Sequence, residues 1–555
     1  TPSHDIYGNG DQAVVPEYLD SDHLIPSDDV DWVDEILRAA VVQSYNLSFT
    51  KADKKSNQLF SLGYYDQQGL VKFSDFKRVS GRFNSEYKLF DDHFRIGENI
   101  SLSHSWGTSV SNNAALGGTL YEAYKFQSIT PVKNLEDEYA GNVFSDIPNP
   151  MGKLYRNKDN QDKKSRLVGN LYAELHLFDG LMFKTSFGVD YNNLYRRSFS
   201  PKYDELNASE KLSSLSNRNA WNFNWVFTNT LTYNKTFGDH TINALLGMES
   251  LRNRYEYFTA SRDGFPSDDP NFRFLDAGDV GTQKNSGAAT EYSMVSYFGK
   301  LDYNYHDRYL VAFTLRRDGS SRLGNNKWGN FPSVSVGWRF SDEKFMKFSK
   351  KFLEDGKIRA SFGITGNEAI GNYDYIYSYS PNSIYDGVGG VIPTRIGKDN
   401  LKWEETKQFN LGLDLNFWNS RLTITADYYD KYTDGLLANY QLPKESGFAY
   451  MKTNVGEMSN RGFEIAVTGD IIRTKDWKWN ASFNISRNVN RIEKLSEGKA
   501  YMEGDIWWMQ EGGRVGDFYG FKSAGVFAYD ESNAFTDNWE QLTPVFENGV
   551  FQYKY

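Results

Sequence analysis

The 555-residue chain contains no cysteine, so neither a disulfide framework nor a thiolate metal site can form. Long hydrophobic runs are missing too. Wholly apolar stretches last only a few residues, far from the roughly 18 that a membrane helix requires, and the mean hydropathy is −0.63. An excess of basic charge is absent: 62 Lys and Arg stand against 72 Asp and Glu, for a formal net charge of −10. A nucleic-acid partner is thereby excluded, since phosphate binding needs a basic surface that releases counterions. Histidine is scarce. The seven (His4, His23, His93, His104, His176, His240 and His306) are scattered, three of them at short polar turns, and no Ser-His pair with an orienting partner can be built from their spacing. No enzymatic chemistry, metal site or cofactor is expected. Thr1-Pro2-Ser3-His4 has neither the basic start nor the apolar core of a signal peptide, so a signal was removed or the chain begins elsewhere. What is abundant is aromatic: 37 Tyr, 39 Phe and 13 Trp. A polar average combined with many aromatics is what strands facing lipid on one side and water on the other produce.

Val295 to Phe340 displays this most clearly. Val295, Tyr297, Gly299, Leu301, Tyr303 and Tyr305 alternate with the mostly polar Ser296, Lys300, Asp302 and Asn304. Period two predicts a strand. After His306-Asp307-Arg308, a second run puts Tyr309, Val311, Phe313 and Leu315 on one face and Ala312, Thr314, Arg316 and Asp318 on the other. Beyond a Gly, Ser and Asn loop (318 to 326), Pro332, Val334, Val336, Trp338 and Phe340 alternate with Phe331, Ser333, Ser335, Gly337 and Arg339. The alternation itself does not say which face is inside. Two features favour apolar outward to lipid and polar inward to a wet lumen: Tyr305 and Tyr309 flank a very short turn as an interfacial girdle would, and the polar face carries Lys300, Asp302, Arg316 and Arg339, as a channel wall would. The chain reads as a large antiparallel transmembrane β-barrel, all-β in class.

Residues 1–40 are acidic and irregular, with Asp20, Asp22, Asp28, Asp29 and Asp31 ahead of a possible helical turn at Trp32 to Arg38. Calcium is disfavoured there, because the Gly and terminal Glu of an EF-hand loop are missing; the segment reads as a solvated linker leading into a barrel over 41–555. Tight polar turns follow aromatics at Phe90, Phe178, Phe237, Tyr305 and Phe417, as hairpins on one rim would place them. Opposite connections are long: about 107–163, 196–219, 253–289, 366–401 and 436–454. Short turns on one rim and long loops on the other is the asymmetry of outer-membrane barrels, the long loops being extracellular. The turns are spaced too irregularly for propeller blades of roughly 40 to 50 residues. About sixteen strands are expected, without an evident closing strand.

Several segments resemble the SusC/RagA-like family of TonB-dependent outer-membrane transporters. They include Tyr303-Asn304-Tyr305-His306-Asp307-Arg308-Tyr309-Leu310, Leu315-Arg316-Arg317-Asp318-Gly319-Ser320-Ser321-Arg322 and Trp328-Gly329-Asn330-Phe331-Pro332-Ser333-Val334. Arg359 to Asn367, Leu401-Lys402-Trp403-Glu404, Asn454-Val455-Gly456, Asn460 to Glu464 and Gly516-Asp517-Phe518-Tyr519-Gly520 continue in the family's order, and Asp31 to Ser48 resembles the stretch just after the plug. The resemblance implies a 22-stranded barrel, an N-terminal plug, a Ton box gripped by TonB from the periplasm, and a SusD-like surface lipoprotein as lid, in contact with outer-membrane lipid and lipopolysaccharide. This chain carries no plug and no Ton box, which implies a portion of a longer transporter.

Ligand contacts are expected from the long loops and upper lumen. Tyr373, Tyr375, Tyr377 and Tyr379 with Tyr385 and Asp386, and Trp507-Trp508 beside Asp505 and Glu511, combine aromatic faces that stack on sugar rings or peptide side chains with carboxylates that accept hydrogen bonds. The alternative is girdle packing or contact with the lid. The expected function is active import of a large nutrient, an oligosaccharide rather than an oligopeptide; the other readings are a structural component of an outer-membrane complex and a passive porin.

Overall fold

The computed structural model describes residues 14–110, 117–504 and 506–523, with two short strands at Pro544–Glu547 and Val550–Tyr553. Its framework is a sixteen-stranded antiparallel sheet in which every strand pairs with the next in sequence. The first eight are β1 (Val42–Ala52), β2 (Ser56–Gln68), β3 (Asp75–Leu89), β4 (Phe94–Gly107), β5 (Gln161–Phe178), β6 (Leu181–Ser200), β7 (Ser214–Phe237) and β8 (His240–Asp263). The second eight are β9 (Lys284–Tyr305), β10 (Tyr309–Ser320), β11 (Trp328–Arg339), β12 (Leu353–Asn367), β13 (Glu404–Phe417), β14 (Leu422–Asp434), β15 (Glu457–Arg473) and β16 (Lys478–Lys494). Among the described residues there are three short α-helices: α1 (Trp32–Ile36) precedes β1, and α2 (Thr119–Lys125) and α3 (Pro150–Asn157) lie between β4 and β5.

Register carries the two-faced pattern from strand to strand. Along one row, Tyr305, Tyr309, Trp338, Ile358, Leu413, Ala426, Ile465 and Ile485 stand opposite one another from β9 to β16. On the other face the corresponding row reads Asp302, Ala312, Ser335, Ser361, Asn410, Tyr429, Gly462 and Asn488. A slip of one residue anywhere would exchange the faces. The apolar face is uncovered: Val311 is 43% and Phe313 49% exposed. The buried apolar clusters lie elsewhere, at the long-loop ends of the strands. A sheet this size with a bare apolar face on one side and polar residues on the other fits a bilayer, not water. One outward carboxyl breaks the pattern: Glu98 follows Ile96 on the apolar face of β4, and the hydroxyl of its cross-strand neighbour Ser85 donates to it.

The structure refines the expected boundaries. β7 and β8 each run 24 residues, well beyond the roughly 9–11 that cross a membrane, so they project past the bilayer and shorten the connections expected at 196–219 and 253–289. The connection at 366–401 folds back as a hairpin (Ser378–Tyr385 with Val388–Arg395), and that at 436–454 as another (Leu437–Gln441 with Tyr450–Asn454). Phe340 is not part of a strand; β11 stops at Arg339 and the chain turns into 3-10 structure. The described part of the acidic segment, from residue 14 on, is not a solvated linker. Trp32 (3% exposed) and Ile36 pack on Phe126, Met151 and Leu154, and the indole N–H of Trp32 donates to the Gln127 carbonyl at 3.1 Å. Its aspartates serve the backbone: Asp31 accepts from the N–H groups of Val33 and Asp34 and caps α1, while Asp20 accepts from those of Leu24 and Ile25. Because α2 and α3 belong to the long β4–β5 connection, the segment expected just after a plug is built into the long-loop rim, and β1 starts from that rim.

The face assignment is open to a direct check. Val311→Arg should destabilise the folded sheet by about 2 to 4 kcal/mol, and Thr314→Arg, on the opposite face, by much less. Reversible unfolding in lipid vesicles measures both; equal costs would contradict the orientation.

Candidate functional site

On the polar face, charges meet across strands in closed groups. Arg359 of β12 lies across β13 to reach β14: its Nη1 sits 2.6 Å and its Nη2 2.8 Å from the two carboxylate oxygens of Asp427, and its Nε 3.1 Å from Asp414. Lys357 joins Asp414 at 3.2 Å. The residue beneath the guanidinium is Gly412, opposite Arg359 in register, and a Cβ there would collide with the Arg359 side chain. Glycine is the condition for that reach. Arg316 likewise binds Asp318 at 2.8 Å, the Ser296 hydroxyl at 2.9 Å and Glu249 at 3.5 Å, and Lys300 binds Asp302 at 2.8 Å. A groove of about 500 Å³ opens among these groups, lined by Lys300, Asp302, Ser335, Arg359, Ser361 and Asn410. The wall is strongly polar, yet each of these cations is matched by at least one carboxylate.

A second cavity, of about 530 Å³, lies on the long-loop rim. Its sides are the rings of Tyr139, Tyr155 and Tyr203 with Arg156, Lys158 and Arg273 and the carboxylates of Asp159, Asp204 and Asp268. Pro150 at the first turn and Asn149 as its cap, whose side-chain oxygen accepts from the Gly152 N–H, set α3 in place. The helix delivers Arg156, which stacks 3.8 Å from the centre of the Tyr203 ring and reaches buried Glu205 at 2.5 Å. Burial pushes the Glu205 carboxyl above the ordinary carboxylate range, an effect that Arg156 and the Asn149 N–H counter. Lys158 sits 3.6 Å from the centre of the Tyr155 ring, and Arg273 ties Asp159 at 3.1 Å. None of these residues stood out in the sequence, because they come from three separate connections and share no spacing.

The residues expected to bind ligand are divided between two small sheets and a loop core. Tyr375 packs against the buried cluster of Leu323, Phe331, Ile370, Leu401 and Trp403. Tyr373 accepts the Glu291 N–H through its hydroxyl at 3.1 Å. Tyr377 and Tyr379 are exposed at the base of the 378–395 hairpin. Asp386 is its turn residue, with φ of 48° followed by Gly387 at 73°; the side chain of Tyr385 lies outside the described ones. Trp507, in a three-stranded sheet, stacks on Phe518 at 4.7 Å, and its neighbour Trp508 on Tyr519, just past the sheet's last strand, at 4.8 Å. Glu511 accepts the Leu495 N–H, and Asp505 lies outside the described residues. The motif at 317–322 is engaged internally, Arg322 pairing with buried Glu368 at 3.3 Å and lying over Tyr292 at 3.9 Å.

Residues 105–535 match the family described as TonB dependent receptor-like, beta-barrel. The chain belongs to that family. This TonB-dependent receptor barrel, an outer-membrane barrel of a family of receptors rather than enzymes, is 33% identical over 521 residues to TonB-dependent receptor P39 of Formosa agariphila, covering 93% of this chain and 49% of that protein. It is 30% identical over 537 residues to TonB-dependent receptor SusC of Bacteroides thetaiotaomicron, covering 89% and 52%. The chain thus spans about half the length of the curated relatives it matches. Among solved structures, the RagAB peptide importer in its open-open state aligns with a TM-score of 0.83 at 26% identity, covering 99% of this chain and 60% of that one. The siderophore receptor PiuA from Acinetobacter baumannii, at a TM-score of 0.52 and 14% identity, shares the fold alone. The barrel is SusC/RagA-like.

The Arg156–Glu205 clamp predicts a local effect. Glu205→Ala leaves a largely buried guanidinium unpaired and should cost the rim roughly 3 to 5 kcal/mol. Hydrogen exchange should then rise at residues 139–158 and stay unchanged in the centres of β9–β16; uniform loosening would refute the clamp.

Proposed function

We propose that this barrel serves TonB-dependent import of a large nutrient across the Gram-negative outer membrane, in a receptor capped by a SusD-like lipoprotein and energised through a Ton box outside the chain. Its relatives P39 and SusC are TonB-dependent receptors. The substrate class we favour is an oligosaccharide. The observation that carries this is the charge-closed wall: Arg359, Lys357, Arg316 and Lys300 each spend their charge on a neighbouring carboxylate, which leaves hydroxyls and amides such as Ser335, Ser361 and Asn410 facing the groove. Such a wall exchanges hydrogen bonds with a neutral, hydroxyl-rich solute and leaves no unpaired cation in these groups to attract an anion. The rim cavity adds tyrosine rings, which stack on sugar faces. Together with the exposed Tyr377 and Tyr379 and the stacked Trp507 and Trp508, it forms the contact surface in this reading; Tyr373, Tyr375 and Asp386 serve the packing and turn of their own connection.

A second reading, an oligopeptide, is favoured by the likeness to the RagAB peptide importer and by the mixed charges of Arg156, Arg273, Asp204 and Asp268 in the cavity. Mass spectrometry of ligand copurifying with the full-length receptor and its lid distinguishes the two. For the oligosaccharide reading, Tyr155→Ala with Tyr203→Ala should weaken glycan binding about tenfold by calorimetry. Peptides in place of glycans would favour the second reading, and steady ion conductance through the intact receptor would point to a porin instead.

A further inference from the structure

The short-turn rim has one connection unlike its neighbours. After β5 and β7 the chain reverses through residues 179–180 and 238–239, and after β9 through 306–308, but between β11 and β12 it runs through 340–352. There a first 3-10 turn, Phe340–Asp342, is followed by a second stretch of eight residues, Lys344–Lys351. In a 3-10 helix, positions three apart eclipse one another, and the sequence sorts accordingly. Met346 and Ser349 form an inner row, with Ser349 buried and its hydroxyl donating to the Met346 carbonyl at 2.8 Å. Phe345 and Phe348 form an outer row, left 61% and 72% exposed. Lys344, Lys347 and Lys350 form the third, all exposed, and Lys351 closes the stretch. In a chain of net charge −10, this stretch holds four lysines and no acid. Lys350 reaches Asp342 at 2.6 Å; among the described residues, Lys344, Lys347 and Lys351 have no carboxylate partner.

The segment is fixed against the edge of the apolar face. Glu343, just ahead of it, accepts from the Tyr309 hydroxyl at 2.5 Å and the Trp338 indole N–H at 3.1 Å, and pairs with Arg308 at 3.2 Å. The ring of Phe345 meets Trp338, an outward residue of β11, at 6.3 Å. The exposed phenylalanines thus continue the lipid-facing surface where it ends on the short-turn side, and the free lysines stand one row away from it. Apolar rings beside unpaired cations at that depth match a boundary with acyl chains on one side and headgroup phosphates on the other. We propose that residues 344–351 bind anionic phospholipid headgroups of the leaflet on the short-turn side, with Phe345 and Phe348 entering between acyl chains and Lys344, Lys347 and Lys351 contacting the phosphate groups.

The test titrates the full-length receptor with phosphatidylglycerol or phosphatidylcholine in detergent and counts bound lipid by native mass spectrometry. A surface lysine contributes roughly fivefold to anionic-lipid affinity, so K344Q/K347Q/K351Q should lose about a hundredfold for phosphatidylglycerol and nothing for phosphatidylcholine, whereas F345S/F348S should weaken both. Heat-modifiable electrophoretic mobility reports that each variant is folded; should the triple variant fail that check, Lys347→Gln alone, with its roughly fivefold loss, decides. Unchanged phosphatidylglycerol affinity in the lysine variant, or no preference between the two lipids in the wild type, overturns the proposal. So does a lysine variant that keeps phosphatidylglycerol but loses a soluble periplasmic protein.

Discussion

A bilayer core offers no water to a backbone N–H or C=O, so every strand that crosses it must pair with a neighbour on each side. The unbroken order of pairing, in which each strand from β2 to β15 has a neighbour on both sides, is the response to that constraint. Once each strand is held to the next, period two dictates the rest: one face meets lipid, the other water, and the register that aligns Tyr305 with Tyr309, Trp338 and Ile358 keeps the apolar residues together. Stability in such a sheet is a matter of consistent rows rather than of a packed centre. Buried apolar clusters are needed only where strands leave the membrane and their connections must hold themselves together in water.

Those clusters explain what the most recognisable words of the sequence do. Leu401 and Trp403 are buried with Leu323 and Phe331 at the long-loop rim, and the Trp403 indole donates to the Lys327 carbonyl at 2.9 Å. Asn454 exchanges hydrogen bonds with the backbone of Lys402, accepting at 2.9 Å and donating at 2.8 Å, and also ties the Gly435 carbonyl. Glu404 accepts the Leu437 N–H. Segments that look like a family signature are therefore the knots that join one long connection to the next. They identify the architecture while saying little about the solute.

The strands and tight turns were legible because their rule is local: Val311 and Phe313 disclose their face two residues apart, and Phe237-Gly238-Asp239-His240 announces a reversal without reference to anything distant. The rim was not legible, because its contacts join residues far apart in sequence. Nothing near Trp32 says that Phe126 and Met151 await it, so an acidic, irregular segment reads as a linker although it is packed. The same limit hid the rim cavity, where Arg156, Tyr203 and Arg273 come from three connections. Period two itself misled at Phe340, an apolar residue in phase with Trp338 that nonetheless leaves the strand. Tyrosine-rich runs pointed at loops correctly, but composition did not separate Tyr375, which packs, from Tyr377, which is exposed.

The lumenal charges pose a separate question, because a wall in contact with water does not need them for solubility. A simpler face of serine and asparagine would be wet enough. Arg359 instead spans three strands through the gap that Gly412 leaves, and holds Asp427 with two nitrogens and Asp414 with a third. A guanidinium suits this because its planar fork binds two carboxylates at fixed angles, as a lysine ammonium does not. The result is a rigid cross-tie between β12, β13 and β14 on the side where no lipid presses, and one that, with Lys357 on Asp414, carries no net charge. Mechanical bracing and electrostatic neutrality are thus supplied by the same residues. A wall built on free arginines would attract anions and retain them; one built on paired charges leaves its hydroxyls and amides as the groups open to hydrogen bonding.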